Sequence, residues 1–391
     1  MADGGTTDGR GIGARVLRKE DSRHLAGRGN FTGDIKRPGQ VELAFVRSPV
    51  AHALIKSVTK PAGFEKSVFT VADMPGMLPM RAPSKLPGYK GADYPALADG
   101  KVRFVGEPVA VCVAATRAEA EDIAQAVEVD YEELPPVVDM LAAREPDAPV
   151  IHDGWDDNIV LETFTEDDFS KIADRATVVV KREYRMARQA MNPMEGKAVF
   201  VEWDDRVDQL MMWTSTQVPH LIRTGLAQFL GLEQRQVRVI APDVGGSFGI
   251  KANVYPEYLI ALYAARLTGR PVKWMSDRTE GFLSDFHGRD NVAEAALALD
   301  EDGKFLGFRL RNLVNIGAYF SPIGSGPATN NLGGLSGVYT TPAAHVEVIG
   351  VMSNSHPTAP YRGAGRPEAS FIIERLIDIA AHELEIGRAH V

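Results

Sequence analysis

The residues with the clearest chemical potential lie in one glycine-rich loop, Val-Gly-Gly-Ser-Phe-Gly-Ile-Lys at 244–251. A β-branched run over 237–240 precedes the loop, and a helical pattern begins near Pro256. Glycine lets the backbone turn tightly and direct its N–H groups outward, and a helix N-terminus favours negative charge. The loop therefore predicts a site for a phosphate-bearing or oxo-anionic ligand.

The common nucleotide-binding motifs do not match this loop. A P-loop requires Lys directly after its last glycine and then Ser or Thr, whereas here Ile250 separates Gly249 from Lys251, and Ala252 follows. The sequence contains no Gly-x-Gly-x-x-Gly at this position either. A plain surface turn is the alternative, although a Phe among three glycines is unusual for one.

Two further loops share the same strand–loop–helix pattern. A strand over 209–213 leads through Thr216 and Gln217 to a helix over 219–230, and a strand over 345–351 leads through Arg362–Gly365 to a helix over 368–383. If the three loops converge, their N–H groups could surround a multiply anionic ligand. Separately, Gln217 could cap a helix, Arg362 could form a surface ion pair, and the glycines could only permit turns.

Other reactive residue types give weaker signals. The nine histidines lack metal-site spacing, and Ser215 and Ser247 do not lie in a nucleophile elbow. The single cysteine, Cys112, lies in an apolar run and is predicted to be a buried hydrophobe, which excludes disulfides and an iron–sulfur cluster held by this chain. Further side chains predicted to be structural are His382 (exposed on a helix flank), Asp243, Glu257 and the core methionines Met191, Met194, Met211 and Met212.

Length and composition bound the class of protein. At 391 residues, with 45% hydrophobic and 24% charged residues, two or more globular domains are expected. The net charge of −9 argues against nucleic acid or an anionic membrane as partner. The sequence contains neither an apolar run long enough for a membrane span nor a hydrophobic signal core, so a cytoplasmic protein is expected.

Together the motifs resemble the molybdenum-binding large subunit of the xanthine dehydrogenase and aldehyde oxidase family, on its carbon monoxide dehydrogenase-like branch. The resemblance covers residues 13–385 and rests on motifs that occur in the family's order and spacing. They are Val-Arg-Phe-Val-Gly-Glu-Pro-Val-Ala at 102–110 with Val-Asp-Tyr-Glu-Glu-Leu-Pro at 129–135, Thr-Ser-Thr-Gln-Val-Pro at 214–219, the glycine loop at 245–251, and Tyr-Arg-Gly-Ala-Gly-Arg-Pro-Glu-Ala at 361–369.

The resemblance implies a mixed α/β (α+β) fold with two successive domains. Residues 21–139 would form an α/β hammerhead domain, and residues 159–385 the first molybdopterin-binding domain. Residues 1–20 are predicted to be a flexible arm. Residues 140–158, which include Pro-Asp-Ala-Pro at 146–149 and Asp-Gly-Trp-Asp-Asp at 153–157, are predicted to be a linker between the domains.

The resemblance also implies roles for single residues. Gln217 would hydrogen-bond near the apical oxo ligand of molybdenum, the N–H groups of Phe248 and Gly249 would hold the same region, and Arg362 would lie on the substrate side of the metal. These side chains and N–H groups would surround the metal without being its direct ligands. Further cofactor contacts would come from Gly245, Gly246, Ser247 and Gly363.

The family's reaction is the oxidative hydroxylation of an aldehyde or an N-heterocycle, with water as the oxygen source. The resemblance therefore implies a molybdenum–molybdopterin cofactor, in bacterial members usually the cytosine dinucleotide form. Electrons would pass to a small subunit that carries [2Fe–2S] clusters and a medium subunit that binds FAD. A dimer of such heterotrimers is the family's assembly.

Three positions depart from particular members of the family. Carbon monoxide dehydrogenase carries a copper-binding cysteine where this chain has Gly363, so oxidation of CO is not expected. Purine-oxidising members have an aromatic residue and a glutamate where this chain has Ala364 and Ala252 in the substrate pocket. An aldehyde or an N-heteroaromatic ring other than a purine is therefore the expected substrate.

The C-terminal end of the sequence departs from the family as well. The family's catalytic base is a glutamate in a second molybdopterin domain, beyond the last residue here, so the chain is expected to be an inactive N-terminal half. Back-translation of Ile386–Val391 gives a common sequencing-adapter sequence, which predicts that residues 386–391 are non-native. The alternative is a short, non-catalytic module that binds the cofactor or assists its assembly.

Overall fold

The structure is a computed structural model that describes residues 11–14, 16–165, 169–322, 329 and 335–387. The α-helices of these residues are α1 (Asp21–Leu25), α2 (Arg117–Gln125), α3 (Phe169–Ala173), α4 (Pro219–Phe229), α5 (Pro256–Thr268), α6 (Arg278–Ser284) and α7 (Arg366–Glu383). The strands are β1 (Val41–Arg47), β2 (Ala53–Thr59), β3 (Val68–Phe69), β4 (Lys101–Val102), β5 (Pro108–Ala114), β6 (Glu128–Glu133), β7 (Ile159–Phe164), β8 (Val178–Met186), β9 (Ala198–Asp204), β10 (Gln209–Thr214), β11 (Val237–Ile240), β12 (Val272–Met275), β13 (Asn291–Leu299), β14 (Phe305–Gly317) and β15 (Ala344–Met352).

The largest sheet joins strands from the two predicted domains. Its seven strands follow the order β11-β10-β9-β12-β1-β5-β3. β1 pairs antiparallel with β5 and parallel with β12, and Val41 N donates to Pro271 O at 2.8 Å where that parallel pair begins. Helix α5 is apolar on nearly all sides and is buried against this sheet. The site loops that follow β10 and β11 are therefore held by a core to which both parts of the chain contribute.

A five-stranded sheet, in the order β7-β15-β14-β13-β8, carries the second core. Helix α7 covers this sheet with apolar residues at helical spacing, among them Ile372, Leu376 and Ala380. The arginine-bearing loop of the predicted site lies directly before α7. The packing of α7 on the five-stranded sheet therefore fixes the position of that loop.

The N-terminal part also forms a small sheet, β4-β2-β6, with α2 packed against β1 and β5. Thr116 caps α2, since its hydroxyl accepts from Glu119 N at 3.2 Å and the Glu119 carboxylate accepts from Thr116 N at 3.1 Å. In the sequence, Thr116 followed by early acidic residues and an apolar stripe up to Val127 predicts a helix, and this reciprocal capping box confirms it.

The other predicted long helices are confirmed within a few residues, and one predicted strand is wrong over most of its length. The pattern over 102–105 predicts a half-buried strand, but β4 ends at Val102. The Glu107 carboxylate accepts from Arg103 N at 2.5 Å. The backbone at Arg103 is therefore bonded to a side chain instead of a neighbouring strand.

The segment 140–158, predicted to be a linker, is packed against the second core. Met140, Ala143 and Ile151 are buried there, and the Asn158 amide bonds to Ile151 N and Pro149 O at 3.0 and 2.9 Å. The predicted arm is exposed at nearly all of its described positions, while residues 1–10 and 15 lie outside the described residues. The same holds for residues 388–391 of the ending predicted to be non-native.

Among the described residues, no helix is both long and apolar enough to cross a membrane. Cys112 is a free, buried thiol in β5, as predicted, and burial raises its pKa to about 12.

Candidate functional site

The three predicted site loops meet in space. Gly249 N donates to the Gln217 amide oxygen at 3.1 Å, and the Ser247 hydroxyl donates to the same oxygen. On the other side of the glycine loop, Arg362 N donates to Phe248 O at 2.8 Å. The part of the glycine-rich segment that makes these contacts, residues 244–249, is called the glycine loop from here on. It lies between the Gln217 loop, residues 215–218, and the arginine loop, residues 360–365.

Gln217 does not cap a helix, which was one of its alternative roles. The N-cap of α4 is Val218, and the helix has no side-chain cap. Because the Gln217 amide oxygen already accepts two hydrogen bonds, the orientation of the amide is fixed by its surroundings. Its Nε2 has no acceptor among the described residues, and so it is available to a ligand.

The glycine loop has a backbone that most side chains would not tolerate. Gly249 has φ +116°, and a Cβ there would lie 1.8 Å from the Pro360 carbonyl oxygen, so only glycine allows the arginine loop to approach this closely. Phe248 adopts the left-handed region at φ 57°, and its ring is partly exposed at 45%. Phe248 is thus an exposed aromatic residue in a strained backbone conformation, between the Gln217 loop and the arginine loop. A residue of this kind is typical of a functional site.

The arginine loop is held from behind by Arg289, which the sequence analysis did not single out. The Arg289 guanidinium donates to Tyr361 O and to the Glu368 carboxylate, each at 3.2 Å, and lies over the Tyr361 ring at 4.6 Å. Arg362 itself forms no ion pair among the described residues, and its guanidinium lies 5.8 Å from the centre of the Phe248 ring.

Several hydrogen-bond donors in this region have no partner among the described residues. Within the described part of the chain, the N–H groups of Gly246, Ser247 and Phe248 have no acceptor, and neither have Gln217 Nε2 and the Arg362 guanidinium. Clustered N–H groups and a guanidinium bind oxo-anions and phosphates, and would repel a free cation. The donor set therefore fits an anionic, oxygen-rich group such as an oxo-metal pterin phosphate.

Beneath the glycine loop lies a polar cluster that the sequence analysis missed. One oxygen of Glu195, Oε2, accepts from Ser215 Oγ at 2.5 Å, Gly245 N at 2.6 Å and Lys251 Nζ at 3.0 Å. Lys251 is fully buried, and burial lowers the pKa of its ammonium while the Glu195 carboxylate acts in the opposite direction. No periodic pattern or motif marks Glu195, whose segment connects β8 and β9.

Two expectations about this region are wrong. The glycine loop does not lie directly at a helix N-terminus, because a 3₁₀ turn, Ile250–Ala252, and three more residues separate it from α5. The N–H groups that this loop offers are therefore its own and not those of a helix N-terminus. Met194, expected in the core, is 93% exposed beside Glu195, while Met191 and Met212 are buried as expected.

The remaining predicted residues are placed as follows. Ala252 is 8% exposed, inside the 3₁₀ turn, and Ala364 is half-buried in the arginine loop at φ 38°. Gly363 is exposed at φ +96°. Their assignment to a substrate or cofactor pocket stays a prediction.

The two carboxylates predicted to be structural are ion-paired. Asp243, just before the glycine loop, accepts from both terminal nitrogens of Arg23 and from Asn30 N, and its hydrogen bond with Arg23 holds the pKa of the Asp243 carboxyl well below its usual range. Glu257, in the first turn of α5, pairs with Arg47 at 2.8 Å and Lys197 at 3.7 Å.

Comparison with family models identifies both parts of the chain. Residues 26–135 match the "Aldehyde oxidase and xanthine dehydrogenase, a/b hammerhead domain", and residues 151–391 match the "Molybdopterin cofactor-binding domain". The chain belongs to the molybdenum-binding large-subunit family of xanthine dehydrogenase and aldehyde oxidase. The mixed α/β fold implied by the resemblance is thereby confirmed, and the family is one of molybdenum oxidoreductases.

Named relatives agree with this assignment. The chain is 33% identical to the carbon monoxide dehydrogenase large chain of Hydrogenophaga pseudoflava over 97% of its length, and 34% identical to the nicotine 6-hydroxylase large subunit of Paenarthrobacter nicotinovorans over 96%. It superposes on quinoline 2-oxidoreductase from Pseudomonas putida 86 with a TM-score of 0.89, at 36% identity over 95% of the chain. The chain spans about half of each relative, 50%, 47% and 48% respectively.

Proposed function

We propose that this chain is the cofactor-binding part of the large subunit of a molybdenum hydroxylase, which oxidises an aldehyde or an N-heteroaromatic substrate with oxygen from water. The observation that carries the proposal is the convergence of Gln217, the glycine loop and Arg362 into a cluster of unpartnered donors. In a family defined by molybdopterin binding, this cluster is the natural place for the cofactor's anionic, oxygen-rich end.

Each group has a separate task in this proposal. The bound molybdopterin–molybdenum group would supply the two-electron oxidation and the activation of water. Gln217 Nε2 and the N–H groups of the glycine loop would hold an oxygen of the cofactor, since these donors are oriented before the ligand arrives. The Arg362 guanidinium would bring positive charge to the substrate side, and the Phe248 ring beneath it would limit the access of water.

The pocket residues favour a substrate other than CO or a purine. Gly363 offers no thiol for a second metal, and Ala364 and Ala252 offer neither a stacking ring nor a carboxylate for a purine. Two of the relatives are named for N-heteroaromatic compounds, nicotine and quinoline, which supports that substrate class.

The partners and the form of the cofactor are part of the same proposal. Two of the relatives are described as a large chain and a large subunit, which supports a heteromeric complex. We expect a small subunit with [2Fe–2S] clusters, a medium subunit with FAD, the cytosine dinucleotide form of molybdopterin, a dimer of heterotrimers and a cytoplasmic location.

The test is the cofactor content of the full chain, produced in a bacterium that makes molybdopterin cytosine dinucleotide. Wild type is expected to retain molybdenum and to release a cytidine nucleotide on acid hydrolysis. Gln217→Ala is expected to lower the retained molybdenum several-fold, because it removes the oriented amide donor. Gln209→Ala is the matched control, since the Gln209 side chain donates to Arg235 O at the opposite end of β10. A wild-type chain that retains neither molybdenum nor pterin would refute the proposal.

A further inference from the structure

We propose that Lys251, Glu195 and Ser215 form a buried ionic platform that sets the position of the Gln217 amide and of the glycine-loop N–H groups. The inference rests on the proposed function, because it assigns these three side chains as positioning residues for the cofactor. Lys251 and Ser215 are fully buried and the Glu195 side chain is 14% exposed, and the three side chains act through the loops that carry the donors.

The platform is centred on one carboxylate oxygen. Glu195 Oε2 accepts from the glycine loop through Gly245 N, from the Gln217 loop through Ser215 Oγ, and from Lys251 Nζ. The backbone adds a reciprocal contact, since Glu195 N donates to Gly245 O at 3.1 Å. A side chain at Gly245 would place its Cβ 2.5 Å from the Glu195 Cβ, so the two segments are in close contact.

Lys251 connects the same loops with both its side chain and its backbone. Its Nζ donates to Ser215 Oγ at 2.6 Å, and its carbonyl oxygen accepts from Thr216 Oγ1 at 2.8 Å and Gln217 N at 3.3 Å. Gly249, two residues earlier, donates to the Gln217 amide oxygen. The spacing between the Gln217 loop and the glycine loop is therefore determined by Lys251 at one end and by the Gln217 amide at the other.

A buried lysine alone would not single out this position, because the chain has a second one nearby. Lys197 is also fully buried, but its Nζ contacts Ser284 O, Asp285 and Glu257, which lie at α5 and α6. Its ion pairs support the packing of those helices and make no contact with the donor cluster. Lys197 is therefore the matched control for Lys251, with the same residue type and burial but different partners.

Charge balance predicts how variants of the platform differ. Lys251→Met leaves the Glu195 carboxylate buried without its counter-charge, and Glu195→Gln leaves a buried ammonium, so each single change disturbs the loops. The double variant, Lys251→Met with Glu195→Gln, removes both charges and is expected to disturb the loops less than Lys251→Met alone.

The experiment measures hydrogen–deuterium exchange in the full chain, peptide by peptide. Lys251→Met is expected to raise exchange in residues 244–250 at least tenfold, with partial recovery in the double variant. Lys197→Met is expected to raise exchange in residues 278–286 and to leave residues 244–250 unchanged. If Lys251→Met does not fold, Glu195→Gln serves in its place, because a glutamine oxygen can still accept from Gly245 N. The inference would be overturned if residues 244–250 exchanged equally fast in Lys197→Met and Lys251→Met, or if neither variant changed their exchange.

Cofactor retention separates this inference from the proposed function. If wild type holds molybdopterin, Lys251→Met is expected to lose the cofactor several-fold faster on gel filtration than Lys197→Met. The two variants are compared under conditions where their melting temperatures are the same. Equal rates of loss would overturn the positioning role. A wild-type chain without any cofactor would refute the proposed function alone, because the exchange pattern still tests the platform.

Discussion

At Gln217, the orientation of a single amide group determines what the loops offer to a ligand. The amide oxygen accepts from Gly249 N and Ser247 Oγ, and the nitrogen is left facing away from both. A glutamate at this position could accept the same bonds, but it would present a negative oxygen where the glutamine presents a donor. The chemistry of the site at this position therefore depends on one nitrogen atom.

Gly249→Ala is expected to destabilise the fold by roughly 3 kcal/mol or more, because its Cβ would overlap the Pro360 carbonyl oxygen and its φ is +116°. Gly269→Ala, at the C-cap of α5, is the matched control. Gly269 also has a positive φ of 63°, but a Cβ there meets nothing within 4 Å, so the expected cost is ~1–2 kcal/mol. Urea denaturation of the two variants measures the difference, and equal costs would contradict the close contact at Gly249.

His287 predicts a pH dependence of stability at acidic pH. Burial lowers the pKa of His287 to about 3, with a further contribution from the adjacent His356. Between its ordinary value near ~6.5 and this lowered pKa, the unfolded chain binds a proton that the folded chain does not, so stability falls as the pH falls through that window. Above pH ~6.5 the residue has no effect on the pH dependence.

His287→Phe is therefore expected to flatten the curve of unfolding free energy against pH by up to ~1.4 kcal/mol per pH unit between pH ~6 and ~4. Neither ring nitrogen of His287 has a hydrogen-bond partner among the described residues, so phenylalanine loses no such bond. Parallel curves for the His287 variant and wild type would refute the assignment.

Among the elements, the sequence predicts those whose signals are local. The helices α2 and α5 are recognisable because Thr116 caps one and Gly269, at φ 63°, ends the other. The parallel pair β1–β12 could not be predicted, since its strands are far apart in the chain and each is only an apolar run. The Gln217, glycine and arginine loops could be predicted as separate motifs, but Glu195 and Arg289, which hold them, carry no motif of their own.

The two ends of α7 predict a contrast between buried and exposed ion pairs. Arg289 pairs with Glu368 at the N-terminus, where their side chains are 13% and 7% exposed, and Arg182 pairs with Glu383 at the C-terminus, where they are 46% and 37% exposed. Arg289→Met is expected to cost about 3–5 kcal/mol, because it leaves a buried carboxylate unpaired and releases the arginine loop. Arg182→Met is expected to cost less than ~1 kcal/mol.

Denaturation of both variants measures these energies, and hydrogen exchange of residues 360–365 measures the release of the loop. Faster exchange of that segment in the Arg289 variant only is the expected result. A similar cost and unchanged exchange in both variants would show that Arg289 does not position the arginine loop.

In the molecule as a whole, the two predicted domains share structure. The sheet passes from β1 to β12, and Glu107 accepts from the Tyr319 hydroxyl at 2.9 Å while the rings of Tyr94 and Tyr319 stack at 4.2 Å. Burial raises the pKa of Glu107 to about 7. Since the Gln217 loop and the glycine loop follow β10 and β11 of the shared sheet, their geometry depends on both parts of the chain.

Cooperative unfolding of the two parts is therefore expected, and the chain carries a natural probe for each. The single cysteine, Cys112, is buried in the N-terminal part, whereas the four tryptophans lie between Trp155 and Trp274 in the second part. Thiol labelling of Cys112 and tryptophan fluorescence are expected to give the same urea midpoint. Independent domains would instead expose Cys112 at a urea concentration where the fluorescence is still native. That outcome would mean that the β1–β12 pair contributes little to the stability of the N-terminal part, because this part would unfold while β12 remained folded.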